Sequence, residues 1–261
     1  MKGKYVDVTY DHSVATVEIQ HAPANTLSSA CIQELRESFR TLADKEETKA
    51  VILTGAGRFF IAGADIKEFV DAFDDEKKSY AMAEAGQALC GEIEAMNKPV
   101  IAAINGPALG GGLEVALSCH YRIAAEDAIL GLPELNLGLI PSFGGTQRLT
   151  EITGTAKAID IILSSKQLRA EEAAGLQLVQ MVVKTEELSQ TARTLADSWV
   201  DGKSMTSVTR ALECILKGSQ ESREKGLDRE KQKFAELFRT DDAKEGVQAF
   251  IDKRKPEFSH S

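Results

Sequence analysis

Two glutamates stand in company that does not suit a charge. Glu114 follows three consecutive glycines in GPALGGGLEVAL, residues 106 to 117, and Glu134 follows Pro133 in GLPELNLGLIPSFGGTQRL, with apolar residues on either side. Carboxylates are rarely buried unless paired or hydrogen-bonded, and burial lifts their pKa toward the range where one group can both take and give a proton. Two such acids beside a polarised carbonyl would form an acid/base pair. The alternative for each is a solvated or ion-paired glutamate, with Arg122 or Arg148 as the partner.

The glycines offer the other half of that chemistry. A loop that brings backbone N–H groups close to a ligand at the start of a helix is best built from residues with little or no Cβ. AGAD, residues 62 to 65, and LGGGLE, residues 109 to 114, are two such loops, each leaving a strand and entering a helix. One N–H from each, converging on one point, would hold a carbonyl oxygen and stabilise the charge it gains during reaction. Taken singly, either loop also reads as an ordinary tight turn.

The elements that must position these residues follow from periodicity. KYVDVTY and VATVEIQ alternate apolar and polar residues around DHS, which predicts a β-hairpin. Ile32, Leu35, Phe39 and Leu42 have helical spacing behind Ser28 or Ser29 as N-cap. AVILT at 50 to 54 reads as a buried strand, residues 75 to 97 as a long helix, and VIAAI, opened by Pro99, as the next strand. Strand, glycine-containing loop and helix occur in VILTGAGRFFIAGADIKEF and again in VIAAINGPALGGGLEVAL, 47 to 50 residues apart. That period predicts successive turns of a coiled α/β core. From about residue 185 four amphipathic helices replace the strands, either as a small bundle or laid on the core and a neighbouring subunit.

Composition excludes several function classes. At 261 residues and 43% hydrophobic content the chain can bury a sizeable core, and a net charge of −9 argues against non-specific nucleic-acid binding. No window is apolar enough for a membrane span, and MKGKYVDVTYDH has no signal-peptide apolar region, so a cytoplasmic protein is expected. Cys31, Cys90, Cys119 and Cys214 lack C-x-x-C spacing and a histidine cluster, so neither a metal site nor a disulfide framework is expected. GPALGGGLE lacks the lysine and hydroxyl of a P-loop, IPSFG has Ile140 in place of the first glycine of a nucleophile elbow, and GAGRFF misses the last glycine of a dinucleotide fingerprint.

PANTLS, GAGRFFIAGADIKEF, KPVIAAINGPALGGGLEVALSCHYRIA, LPELNLGLIPSFGGTQRL and FIDKRKPEF, in this order and spacing, resemble the crotonase family, the enoyl-CoA hydratase/isomerase superfamily, over nearly the whole chain. The resemblance implies an α/β fold with a coiled ββα spiral core and a C-terminal helical trimerisation region, divided at residues 1–195 and 196–261. It implies that the N–H groups of Ala64 and Gly111 form an oxyanion hole for an acyl-CoA thioester. It implies further that Ala62, Asp65, Ile66 and Lys67 help line the substrate site, that Phe250 and Lys253 reach a neighbour's coenzyme A, and that the chain assembles as a homotrimer or a homohexamer. Glutamates at both 114 and 134 resemble the hydratases: Glu114 would deprotonate water and Glu134 would protonate the α-carbon of a trans-2-enoyl-CoA, with no cofactor beyond the coenzyme A of the substrate. An isomerase, or a catalytically weak assembly subunit, is the alternative. Ser142 departs from the glycine common at its position; serine keeps the N–H that holds the water, provided the backbone there does not demand a glycine.

Overall fold

The computed structural model describes residues 2–260. It opens with the hairpin β1 (Val6–Asp11) and β2 (Val14–Ile19), followed by α1 (Ser29–Asp44), β3 (Ala50–Gly55), the four-residue α2 (Lys67–Val70) and α3 (Glu76–Glu94). The second half of the core runs β4 (Val100–Ile104), β5 (Ala108–Leu109), α4 (Gly111–Ser118), β6 (Tyr121–Ala125) and β7 (Ile129–Gly131), a 3₁₀ turn at Glu134–Leu137, then α5 (Gly145–Thr153), α6 (Thr155–Leu163), β8 (Gln167–Arg169), α7 (Ala170–Gly175) and β9 (Met181–Val183). The chain closes on α8 (Leu188–Val200), α9 (Met205–Gly218), α10 (Arg223–Leu237) and α11 (Asp241–Asp252).

Among the described residues the main sheet has the order β1-β2-β3-β4-β6-β9, antiparallel at the hairpin and parallel thereafter. Pairing of Asp11 with Val14 leaves only His12 and Ser13 in the hairpin turn, one residue tighter than expected, and His12 takes a positive φ of 49° to make it. Every residue of VIAAI is buried, as a central parallel strand covered on both faces requires. One face carries Leu53, Val100, Ala102 and Ile104 against Leu35, Phe39, Leu89 and Ile93 of α1 and α3. The other carries Ile52, Ile101, Ala103 and Ile123 against Leu188, Ala192, Ala196 and Val200 of α8. A small second sheet, β5-β7-β8, closes the end of the core that holds the glycine loops.

Residue 195 lies within α8, which packs on the sheet, and α9 begins after the turn at 201–204. Beyond that turn α9 and α10 bury none of their residues. They and α11 leave Ile215, Leu227, Phe234, Phe238, Val247 and Phe250 facing outward. None of the helices among the described residues is long and apolar enough to cross a membrane.

Candidate active site

The two strand–loop–helix repeats lie side by side, and their loops are stitched together by backbone. Ile61 bridges Ala108: its N–H donates to Pro107 O at 3.2 Å and its carbonyl accepts from Leu109 N–H at 3.0 Å. Leu27 bridges Ala64 through the neighbours of Ala64, with Leu27 N–H donating to Gly63 O (2.9 Å) and Asp65 N–H donating to Leu27 O (3.0 Å). The N–H of Ala64 is thereby turned away from Leu27, and it meets no acceptor among the described residues. Gly111 is the first residue of α4, where a helix leaves its N–H groups without an internal partner, and its N–H is likewise free of a backbone acceptor.

The glycines ahead of Glu114 make this close approach feasible. Gly110 has φ of 53°, and a Cβ there would fall 2.9 Å from Glu134 Oε1. Gly112 lies against the first loop, where a Cβ would fall 2.1 Å from the carbonyl oxygen of Ile61. The run of glycines therefore serves both the turn and the seam between the two loops.

Glu114 projects from α4 and is only 1% exposed. Its Oε1 accepts from the N–H of Phe143 at 2.8 Å and of Gly145 at 2.6 Å. Burial pushes its carboxyl up to about 7, helped by the nearby charge of Glu134 and opposed by the Gly145 and Phe143 hydrogen bonds and by Arg148. Glu134 opens the 3₁₀ turn, and burial raises its pKa as well. Its Oε2 is shielded from solvent yet has no hydrogen-bond partner among the described residues, the condition of a polar atom kept for a ligand. Among the described residues neither acid is ion-paired. Arg148 instead clasps Glu94, at 2.5 and 2.8 Å, and donates to Phe143 O at 2.7 Å. Arg122 donates to the carbonyls of Leu178 and Cys119, both at 2.7 Å.

Both acids and both residues whose amides lack an acceptor, Ala64 and Gly111, line one cavity of about 330 Å³. Of the residues singled out from the sequence, Ala62, Ala64, Ile66, Gly111, Glu114, Glu134 and Ser142 line it. Asp65 is turned to its own backbone, with Oδ1 accepting from Lys67 N–H at 3.1 Å, and Lys67 is exposed outside the lining. Phe250 and Lys253 lie at the end of α11 and contribute nothing to the cavity of their own chain. Ser142 is not among the residues with positive φ, so the backbone there makes no demand for glycine. The buried thiols of Cys31, Cys90 and Cys119 are pushed up to about 12 by burial, which makes them packing groups rather than nucleophiles.

Sequence reasoning missed the amides of Phe143 and Gly145 as the groups that hold Glu114, and Arg148 as the group that holds Phe143. The only signal was the pair Gly144 and Gly145 after an apolar run, since a backbone donor carries no mark of residue type. What the arrangement can do is polarise a carbonyl at two amides while two carboxyls exchange protons beside it.

Comparison with known proteins agrees with that chemistry. A family model described as enoyl-CoA hydratase/isomerase matches residues 9–261. A probable enoyl-CoA hydratase of Bacillus subtilis is 46% identical over 254 residues, covering 97% of this chain and 98% of its own. A short-chain-enoyl-CoA hydratase of Clostridium acetobutylicum is 39% identical over 246 residues, covering 94% and 93%. The crystal structure of an enoyl-CoA hydratase from Bacillus anthracis superposes with a TM-score of 0.93 at 37% identity, covering 99% of this chain and all of that one.

Proposed function

The chain belongs to the enoyl-CoA hydratase/isomerase family, and from that premise we propose how its cavity hydrates a trans-2-enoyl-CoA to a 3-hydroxyacyl-CoA, the hydration step of fatty-acid β-oxidation. The N–H groups of Ala64 and Gly111 receive the thioester oxygen. They withdraw electrons through the conjugated double bond and make C3 electrophilic. Glu114, in its ionised form, takes a proton from water as the water oxygen bonds to C3. The π electrons of the C2–C3 bond move toward the thioester and are held as an enolate by the two amides. Glu134, in its protonated form, then delivers a proton to C2 and the enolate collapses. One proton has gone to Glu114 and one has left Glu134, so exchange with solvent resets the pair.

A single observation carries this assignment: two carboxyls face one cavity with unequal support. Glu114 is fixed by two backbone N–H groups, as a base that must aim at a water has to be, while Glu134 Oε2 has no partner among the described residues. The N–H of Ser142 completes the cradle for water in this reading. The reaction so written needs no cofactor, because coenzyme A is part of the substrate.

The outward apolar faces of α9 to α11 support assembly into a trimer, single or paired into a hexamer, in which Phe250 and Lys253 approach a neighbour's coenzyme A. Lys67, exposed beside the cavity, adds positive charge for its phosphates. The decisive experiment follows the enoyl-thioester absorbance of crotonyl-CoA. The protein should abolish it, and Glu114→Gln and Glu134→Gln should each slow the loss by about 10² to 10⁴. A double-bond shift that survives loss of Glu114, with hydration absent from the parent protein, would favour an isomerase instead.

A further inference from the structure

We propose that Glu68 is a positioning residue whose carboxylate latches the segment 66–75 over the cavity by capping α1, and so governs how the site holds the apolar part of the acyl chain. The inference rests on the hydratase reading above and concerns the same cavity.

The segment is a wall with little of its own to hold it. Ile66, Phe69, Ala72 and Phe73 line the cavity, yet α2 has no buried residue, and Ile66, Val70 and Phe73 are 55%, 66% and 68% exposed. Its backbone bonds are local: Glu68 N–H to Asp65 O, Phe69 N–H to Ile66 O, Ala72 N–H to Phe69 O and Asp75 N–H to Ala72 O. Lys78 Nζ, on the adjoining α3, reaches back to Asp71 O. Asp75 also caps the adjoining α3, accepting from Lys78 N–H and Ser79 N–H, and Asp65 just before the segment accepts from Lys67 and Glu68 N–H. Among the described residues, only the hydrogen bonds of Glu68 carry the segment to an element that does not adjoin it in sequence. Both carboxylate oxygens accept from Ser29 N–H, at 3.1 and 2.9 Å, and Oε2 also accepts from Ser29 Oγ at 2.6 Å.

The other end of the latch is firm. Ser29 is the first residue of α1, so its N–H is one that the helix cannot satisfy internally, and the positive end of the helix favours a carboxylate there. One turn further on, Cys31 and Leu35 are fully buried in the core. Ala64, by contrast, is held without the latch, through the pairing of Gly63 and Asp65 with Leu27. Releasing Glu68 should therefore loosen the apolar wall and leave the amide of Ala64 in place. The consequence is a change in KM that grows with acyl length, with kcat nearly constant.

The test compares Glu68→Ala with the parent protein on crotonyl-CoA and on trans-2-decenoyl-CoA. The kcat/KM for the longer substrate should fall about tenfold through KM, with the shorter one changed by less than about threefold, well short of the hundredfold that misplaced reacting groups cost. Glu68→Gln keeps one acceptor oxygen and should recover most of the lost ratio. In parallel, trypsin should cut Glu68→Ala faster at Lys67, Lys77 or Lys78 while the melting temperature changes little, since α2 has no fully buried residue. An unchanged ratio, or an equal loss on both substrates, overturns the proposal. Should the parent protein hydrate neither substrate, the hydratase reading falls, and the trypsin arm still judges the latch: unchanged cleavage overturns it.

Discussion

The two repeats of strand, loop and helix begin alike and end differently. β3 and β4 are neighbouring parallel strands, and each feeds a glycine-bearing loop that contributes residues to the cavity, Ala64 from the first and Gly111 from the second. After the second loop the chain enters α4, in which every residue is buried. After the first it enters α2, in which none is. In the proposed mechanism one donor and the base, Gly111 and Glu114, thus stand on the rigid repeat, and the cavity wall assigned to the acyl chain stands on the loose one. The lesson is that a site needing both fixed chemistry and an adaptable fit can take them from two copies of one pattern, by burying one closing helix and leaving the other in water.

The harshest way to break this arrangement is to force the repeats apart. A methyl group at residue 112 would meet the carbonyl oxygen of Ile61 at 2.1 Å, a backbone atom that cannot swing aside. Gly112→Ala should cost about 3 kcal/mol and lower the melting temperature by roughly 6–12 °C. Because Ile61 joins the loops that carry both amides, hydratase activity should fall further than the stability loss alone explains. Calorimetry together with the crotonyl-CoA assay checks both, and a variant with normal activity would mean that the seam does not set the donors.

A second test asks what the rigid repeat costs to hold a charge. The carboxyl of Glu114 is about 7 in the folded protein against an ordinary 4.5, so folding favours its protonated form. Its contribution to stability is complete below about pH 4.5 and is lost as pH rises through 7, a loss of about 3 kcal/mol by pH 8. Glu134 is shifted in the same direction by burial. Glu114→Gln keeps an acceptor for Phe143 and Gly145 and removes the charge. It should therefore melt above the parent protein at pH 8 and no higher at pH 5. The activity of the parent should climb through pH 7 as the base ionises. Parallel melting curves for the two proteins at both pH values would remove Glu114 as the source of strain.

Much of this was legible in the residues. Acids set among apolar neighbours announced Glu114 and Glu134, and the strands at 50 to 54 and 100 to 104 were readable as uninterrupted apolar runs. That Ala64, Gly111 and Glu114 line one cavity fits the repeat, whose equivalent loops lie side by side once β3 and β4 pair, whereas Glu134 comes from a segment outside it. What stayed hidden has physical causes. Phe143 and Gly145 act through backbone N–H groups, which every residue but proline owns. Glu68 looked like any surface charge, because its partner Ser29 lies 39 residues away in sequence. The place of α8 was ambiguous because an amphipathic helix shows that it has an apolar face and not what that face covers. Phe250 and Lys253 are read onto a neighbouring subunit, whose position a single chain's sequence does not encode.

The mildest test sharpens the contrast between the two closing helices with one substitution made in each. Val115 on α4 is fully buried and Val70 on α2 is 66% exposed. Threonine has the shape of valine with a hydroxyl in place of a methyl, so packing volume barely changes while polarity does. At Val115 the hydroxyl would enter an apolar interior. The best acceptor it could reach there is the carbonyl four residues back on its own helix, that of Gly111, at the edge of the site. Val115→Thr should cost about 1–3 kcal/mol, less if that bond forms. At Val70 the hydroxyl stays in water, and Val70→Thr should change stability by less than about 0.5 kcal/mol. Urea unfolding of the two variants measures the difference directly. Equal costs would mean that α2 is packed as tightly as α4, and the division between a rigid and a yielding repeat would have no energetic basis.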